Sequence, residues 1–282
     1  ALEGYIASQV FPYVRVENEV GTFWVYGKEG FRRVRTLRAE NTPAAMVDFQ
    51  ATSDTYDCHE YALKSGIGKR ERANYRGPIE LQQIKQNLNI DGLMLDFEVR
   101  VATLMTTTGN WSTNDTPDTK WDAANATPFK DVKLWKNDVR KKIGLVPNTM
   151  ILPYEGWLKL SEAQEVIGRL SVAALQVTTM DIVKALFEVE RILVPRGLYD
   201  TAKEGKTPVL ADIWGTSIWL GYVAPSPSLY TPSAGYTIVA QDLQTEQWHD
   251  NDIKMDLVES SMIQTEKVVC ADAGFVITSP WT

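Results

Sequence analysis

Residues 77–108 carry a regular pattern of apolar and polar positions. The apolar positions, spaced three, four or seven residues apart, are Leu81, Ile84, Leu88, Leu95, Val99 and Ala102. This spacing places them on one face of a helix with a 3.6-residue period. Pro78 suits a first helical turn, where no amide donor is needed, and Glu80 is favourable near the positive end of the helix dipole. The pattern predicts one long helix over residues 78–105.

The remaining apolar patterns predict helices in the first two thirds of the chain and strands in the last third. The further helices are predicted at residues 128–143, 155–160 and 179–189, and the strands at residues 22–26, 147–152, 191–194, 217–223, 235–240, 252–258, 266–269 and 274–279. The prolines within residues 224–235 predict a loop. Residues 1–20 have little periodicity and are predicted to form an arm lying on a neighbouring surface. The fold class is therefore α+β.

A second interpretation makes residues 92–101 a strand that carries catalytic acids. Residues 91–98, DGLMLDFE, resemble the DGxDxDxE signature of family-18 glycosidases. The resemblance implies that Glu98 is the catalytic acid and Asp96 its partner. Met94 replaces the middle Asp, and the first 76 residues lack the strand–helix repeats that such a barrel needs. The helix is preferred, and it makes Asp91, Asp96 and Glu98 surface or inter-subunit contacts.

Composition narrows the function further. The 282 residues are 44% hydrophobic and 23% charged, which is enough to bury a core. A net charge of −7 argues against a dedicated DNA reader, and no apolar run approaches the roughly 18 residues of a membrane helix. We expect no membrane association.

The chain offers no convincing site for catalysis, a metal or a cofactor. The two cysteines, Cys58 and Cys270, are predicted to be reduced and structural. Neighbouring residues 58–60, CHE, would point to opposite faces of an extended chain, which disfavours a metal site. Residues 66–69, GIGK, lack the Ser or Thr of a phosphate loop and predict a flexible, basic turn. We therefore expect a protein that is not an enzyme.

Residues 26–76 form a basic segment of an otherwise acidic chain. The segment has ten Lys and Arg residues against seven acids, so its own charge is about +3. Because the net charge of the chain is −7, the rest of the chain carries about −10. It is either a solvated surface or a surface that contacts an acidic face of another subunit. The candidate assembly-interface residues are Arg32, Arg33, Arg35, Arg38, Lys69, Arg70 and Arg72.

Several phrases, in their order and spacing, resemble tailed-phage major capsid proteins of the HK97-like fold. They are EVRVA (98–102) before GNW (109–111), VPNTMI (146–151) before Trp157 and Leu160, TAKEG (201–205), IWGTSIWLGYV (213–223), SAGYT (233–237) and DAGFVI (272–277). The resemblance covers nearly the whole chain. It implies an N-terminal arm at residues 1–20, an extended E-loop at 21–76, a P domain at 77–125 and 245–282 with a long spine helix, and an A domain at 126–244.

The function implied by this resemblance is self-assembly of hexamers and pentamers into an icosahedral shell around double-stranded DNA. The implied partners are further copies of the chain, portal and scaffold or decoration proteins, and DNA packaged without sequence recognition. The implied location is the virion, assembled in the cytoplasm of a host bacterium. An encapsulin-type compartment shell is the first alternative, and the glycosidase is the second. Gly92, which is unfavourable inside a helix, predicts a bend in the spine helix.

Overall fold

A computed structural model of the chain describes residues 4–26, 33, 36–38, 40, 42–44, 46, 51–172, 180–229 and 231–282. Its helices are α1 (Ala7–Val10), α2 (Lys69–Asn74), α3 (Leu81–Thr106), α4 (Pro128–Ile143), α5 (Tyr154–Glu162), α6 (Gln164–Val172) and α7 (Met180–Phe187). Its strands are β1 (Tyr13–Arg15), β2 (Val20–Tyr26), β3 (Ala51–Asp57), β4 (His59–Gly68), β5 (Asn114–Asp115), β6 (Thr149–Ile151), β7 (Arg191–Leu193), β8 (Leu198–Asp200), β9 (Leu210–Asp212), β10 (Ile218–Gly221), β11 (Gly235–Asp250), β12 (Met255–Val268) and β13 (Gly274–Ile277).

The predicted long helix is present as α3, the spine helix, but its buried face differs from the predicted one. The side chains that the fold buries include Leu93, Phe97 and Val101, spaced four residues apart. Two members of the predicted stripe, Ile84 and Leu88, are 37% and 62% exposed. The helix carries apolar residues on two faces, and periodicity alone does not indicate which face meets the core.

The spine helix continues through Gly92 without interruption. A Cβ atom at this position would lie 2.7 Å from the Cδ1 atom of Leu63 on β4. The glycine therefore lets a strand side chain approach the helix closely. The bend at Gly92 stays a prediction, because an unbroken helix can still curve.

A four-stranded sheet in the order β1-β11-β12-β4 lies against the spine helix. The separate strands predicted at 235–240, 252–258 and 266–269 belong to two long antiparallel strands, β11 and β12. Irregular pairing between Val239 and Gln244, and the mostly polar residues that follow, conceal this length in the sequence. The flexible turn predicted at residues 66–69 is wrong, because Gly66 and Gly68 end β4 and Lys69 begins α2.

A second, five-stranded sheet has the order β5-β13-β10-β6-β7 and packs against α4. The core between them includes Trp121, Trp135 and Phe275. The prediction of α4 is confirmed, with Pro128 in its first turn and Gly144 in a left-handed conformation (φ 71°) at its end. Two antiparallel ribbons complete the described strands: β2–β3 within the predicted E-loop, and β8–β9.

The predicted arm lies on the surface of its own chain. Ile6, Val10 and Phe11 are buried in a core that also contains Phe97 and Val101 of the spine helix. Strand β1 then pairs in parallel with β11. The segment lacks periodicity because it fills a groove built by distant parts of the chain.

Candidate assembly surfaces

The predicted basic surface is exposed where the structure describes it. Arg33 and Arg38 are exposed, whereas Arg32 and Arg35 lie outside the described residues. Lys69 and Arg70 are exposed on α2, whose six residues include no buried one. These four described cations are available for contact with another molecule.

Arg72 has a partner within its own chain. Its guanidinium lies 2.5 Å from a carboxylate oxygen of Asp256, and the other oxygen of that carboxylate lies 2.6 Å from Nδ1 of His249. The hydrogen bond with His249, followed by the attraction of Arg72, lowers the pKa of Asp256. A second pair, Lys85 with Glu71 at 3.2 Å, holds α2 to the spine helix. Arg72 thus positions α2 on the β11–β12 hairpin, in addition to any role that it has in assembly.

Glu98 is a buried clamp between three segments. Glu98 is only 1% exposed. Its carboxylate accepts hydrogen bonds from the backbone amides of Ile6 (2.9 Å) and Ala7 (2.8 Å), and from Nε1 of Trp214 (2.7 Å). Burial raises the pKa of Glu98, and the three hydrogen bonds oppose that rise. The prediction that Glu98 is a surface or inter-subunit contact is therefore wrong. The carboxylate fastens the N-terminal segment and the loop before β10 to the spine helix.

The glycosidase alternative is overturned by the same geometry. Residues 91–98 lie inside the spine helix, so the expected catalytic strand does not exist. The cavity beside Glu98 is about 150 Å³, below the roughly 300 Å³ of small-molecule sites. Asp96 pairs with Arg100, one helical turn away. The two acids therefore have separate structural partners.

Arg100 joins the spine helix to the sheet. Its Nε and Nη2 atoms each donate to a carboxylate oxygen of Glu266 on β12, at 3.0 Å in both cases. Its guanidinium also lies over the ring of Tyr61 on β4, 3.7 Å from the ring centroid. Gln264 donates a further bond of 2.9 Å to Glu266. The sequence signal for the contacts of Glu98 and Arg100 is that both charged residues lie within an apolar stretch of the helix.

The segments considered for metal binding lie within the part of the chain that the structure describes. Within the described ranges no group of three or more His, Cys, Asp or Glu residues could hold a metal ion. Cys58 is buried, whereas His59 and Glu60 are exposed. Cys270 is half-buried, and the two cysteines do not form a disulfide with each other. Among the helices that the structure describes, none is long and apolar enough to span a bilayer.

Comparison with known proteins gives relatives over nearly the full length of the chain. The chain is 29% identical over 286 residues to the major capsid protein of Burkholderia phage BcepMu, covering 97% of this chain and 91% of the relative. The crystal structure of a phage-related protein from Bordetella bronchiseptica RB50 matches with a TM-score of 0.77 at 26% identity, over 97% of this chain and 91% of that one. The mature capsid of bacteriophage PhiM1 matches with a TM-score of 0.60 at 12% identity, over 98% and 86%. No family model matches the chain.

The fold is that of HK97-like capsid proteins, a mixed helix-and-strand architecture with a long helix crossing an extended β-hairpin. The resemblance to tailed-phage major capsid proteins is confirmed, and BcepMu supplies a relative of that kind. The relatives indicate a structural role for the chain.

Proposed function

We propose that the chain is the major structural subunit of a phage shell. In this function, copies of the chain assemble as hexamers and pentamers into an icosahedral particle around double-stranded DNA. The observation that carries the proposal is the 97% coverage of this chain by the BcepMu major capsid protein, combined with a capsid fold over the same length.

Exposed apolar side chains support assembly with other copies. On the β2–β3 ribbon, Val20 and Trp24 are 64% and 42% exposed, and on the spine helix Leu88 is 62% exposed. Exposed apolar side chains that form a contiguous patch mark contact surfaces, and these three are the candidates for contact with other copies. The predicted E-loop, residues 21–76, would extend onto an adjacent copy, where Arg33 and Arg38 would meet acidic side chains.

The charge of the chain supports a shell that encloses DNA without binding it tightly. A net charge of −7 repels phosphate, so the DNA would remain free to enter and leave. The further proposed partners are a portal and scaffold or decoration proteins. The proposed location is the virion, after assembly in the bacterial cytoplasm.

The first experiment separates a DNA-filled phage shell from an encapsulin-type compartment. Particles containing this chain would be purified from the bacteria that produce it and treated with nuclease. The proposal predicts particles that retain nuclease-resistant double-stranded DNA of uniform length. Particles that contain cargo enzymes and no protected DNA would favour the compartment shell, and protein that remains monomeric would contradict both.

A further inference from the structure

The β8–β9 ribbon has an exposed face that mixes apolar and acidic side chains. In its antiparallel register Leu198 pairs with Asp212, and Asp200 pairs with Leu210. Side chains of directly paired residues point to the same face, so these four lie together. All four are exposed, with Leu198 at 49% and Leu210 at 66%. The ribbon therefore presents two leucines beside two acids.

The two acids of this face differ in their engagement. Asp200 accepts hydrogen bonds from the amides of Ala202 (2.9 Å) and Val209 (2.8 Å), which lower its pKa. These bonds hold the ribbon's turn in shape. Asp212 stands exposed at the ribbon's base and is the acid best placed to meet a cation from outside.

The end of α4 presents the complementary chemistry. Its last turn contains Arg140, Lys141 and Lys142, and the next two non-glycine residues, Leu145 and Val146, are 37% and 54% exposed. Lys142 is engaged by the carbonyl oxygen of Ser112 at 3.2 Å, whereas Lys141 is exposed. The helix dipole also favours cations at this end. An exposed Lys is thus followed within five residues by two exposed aliphatic side chains.

The two surfaces lie at opposite ends of the five-stranded sheet. Strands β6 and β7 are parallel, with Thr149 paired to Arg191 at their first residues and Ile151 paired to Leu193 at their last. The segment with Leu145 and Val146 enters β6 at the first end, and the chain leaves β7 at the other end to form β8. The two surfaces therefore join the sheet at different ends, which leaves each of them open to a neighbouring copy.

We infer that these surfaces join neighbouring copies head to tail, with Leu198, Leu210 and Asp212 of one copy packing on Lys141, Leu145 and Val146 of the next. A second copy is the occupant because charge and apolar character are complementary between two ends of the same molecule. A contact between different surfaces repeats from copy to copy and closes into a ring when its rotation permits. This inference rests on the proposed function, since it specifies one contact within the assembled shell.

Charge exchange tests the contact. The variants are Asp212→Lys, Lys141→Glu and the double variant, and the matched controls are Glu204→Lys in the ribbon's exposed turn and Lys133→Glu on the exposed side of α4. Assembly from dissociated protein would be followed by light scattering, and folding by circular dichroism. We expect each single test variant to assemble roughly tenfold more slowly, because the pair recurs at every neighbour, and the double variant to recover.

The outcomes distinguish this inference from the proposed function. Recovery in the double variant, with both controls like the wild type, supports the contact. Wild-type assembly in both single variants, or equal losses in test and control variants, overturns the contact and leaves the shell function standing. A wild-type protein that does not assemble overturns both. As a second readout, a cysteine pair Leu210→Cys and Val146→Cys should give disulfide-linked ladders when assembled particles are treated with a thiol oxidant, and oxidised particles without such ladders would also contradict the contact.

Discussion

The pairing of Arg100 with Glu266 gives the sharpest test of how the spine helix is held. Replacing Arg100 by Met removes the two charge-assisted hydrogen bonds to Glu266 and the exposed pair with Asp96, while keeping much of the aliphatic volume. The Glu266 side chain is only 4% exposed, so its charge would lose its main partner in a poorly solvated position. Removing one partner of a buried ion pair costs about 3–5 kcal/mol.

The lower end of this range applies here. The Arg100 side chain is 20% exposed, and Gln264 would still donate to Glu266. We expect the free energy of unfolding to fall by about 3 kcal/mol, which lowers the melting temperature by roughly 6–12 °C in a chain of this size. Glu266→Gln should lower the free energy of unfolding by less than Arg100→Met does, because it leaves no unpaired negative charge in the buried position of Glu266. Urea unfolding of dissociated protein measures both changes.

The control is Arg15→Met. Arg15 also donates to a carboxylate through Nε and Nη2, but the side chains of Arg15 and its partner Asp242 are 75% and 62% exposed. Solvent and salt screen such a pair, so no measurable change in the unfolding midpoint is expected. Equal destabilisation by Arg100→Met and Arg15→Met would refute the reasoning, because burial would then not determine the contribution of the pair.

Three further predictions follow from the buried carboxylate, the glycines and the basic segment. Burial raises the pKa of Glu98 above its ordinary 4.5, so the contribution of Glu98 to the free energy of unfolding is full below that pH and is lost as pH rises through the pKa of the folded state. The slope of this loss is at most about 1.4 kcal/mol per pH unit. Glu98→Gln should remove the slope in urea unfolding measured from pH 4 to 8. Gly92→Ala should change stability by under about 1 kcal/mol, since the flexible end of Leu63 can shift and helix propensity improves, whereas Gly221→Ala should prevent stable folding in thermal scans because the new Cβ meets a backbone oxygen. Reversing the four arginines within residues 32–38 should reduce particle yield while leaving the melting temperature of dissociated protein unchanged.

Each of these three has an opposing outcome. A constant difference in stability between wild type and Glu98→Gln at every pH would show that the raised pKa has no effect on folding. Similar stability of the Ala variants at Gly92 and Gly221 would contradict the distinction between a mobile side chain and a fixed backbone atom. Normal particle yield after reversal of the four arginines would show that the basic segment is a solvated surface.

The elements with strong local signals could be predicted from the sequence. The spine helix, α4 with its Pro128 and Gly144 boundaries, and strands β7 and β13 follow from spacing and capping residues. These signals are local, because capping and periodicity act within a few residues.

The contacts between distant segments could not be predicted in the same way. The pairing of β4 with β12 joins residues nearly 200 positions apart, and the mostly exposed side chains of β4 give no alternation. Likewise, nothing near Glu98 in the sequence indicates that the amides of Ile6 and Ala7 supply its hydrogen bonds. Residues 91–98, which suggested catalytic acids, instead belong to the spine helix, which contacts the N-terminal segment, the four-stranded sheet and the loop before β10.

Electron cryomicroscopy of particles purified with this chain shows directly whether the chain forms an icosahedral shell. We expect closed icosahedral shells whose hexamers and pentamers are built from copies of this chain, with the spine helix and the β11–β12 hairpin recognisable in each copy. A preparation that stays monomeric or dimeric under conditions that keep the protein folded, or particles whose shell consists of another protein, would contradict the account.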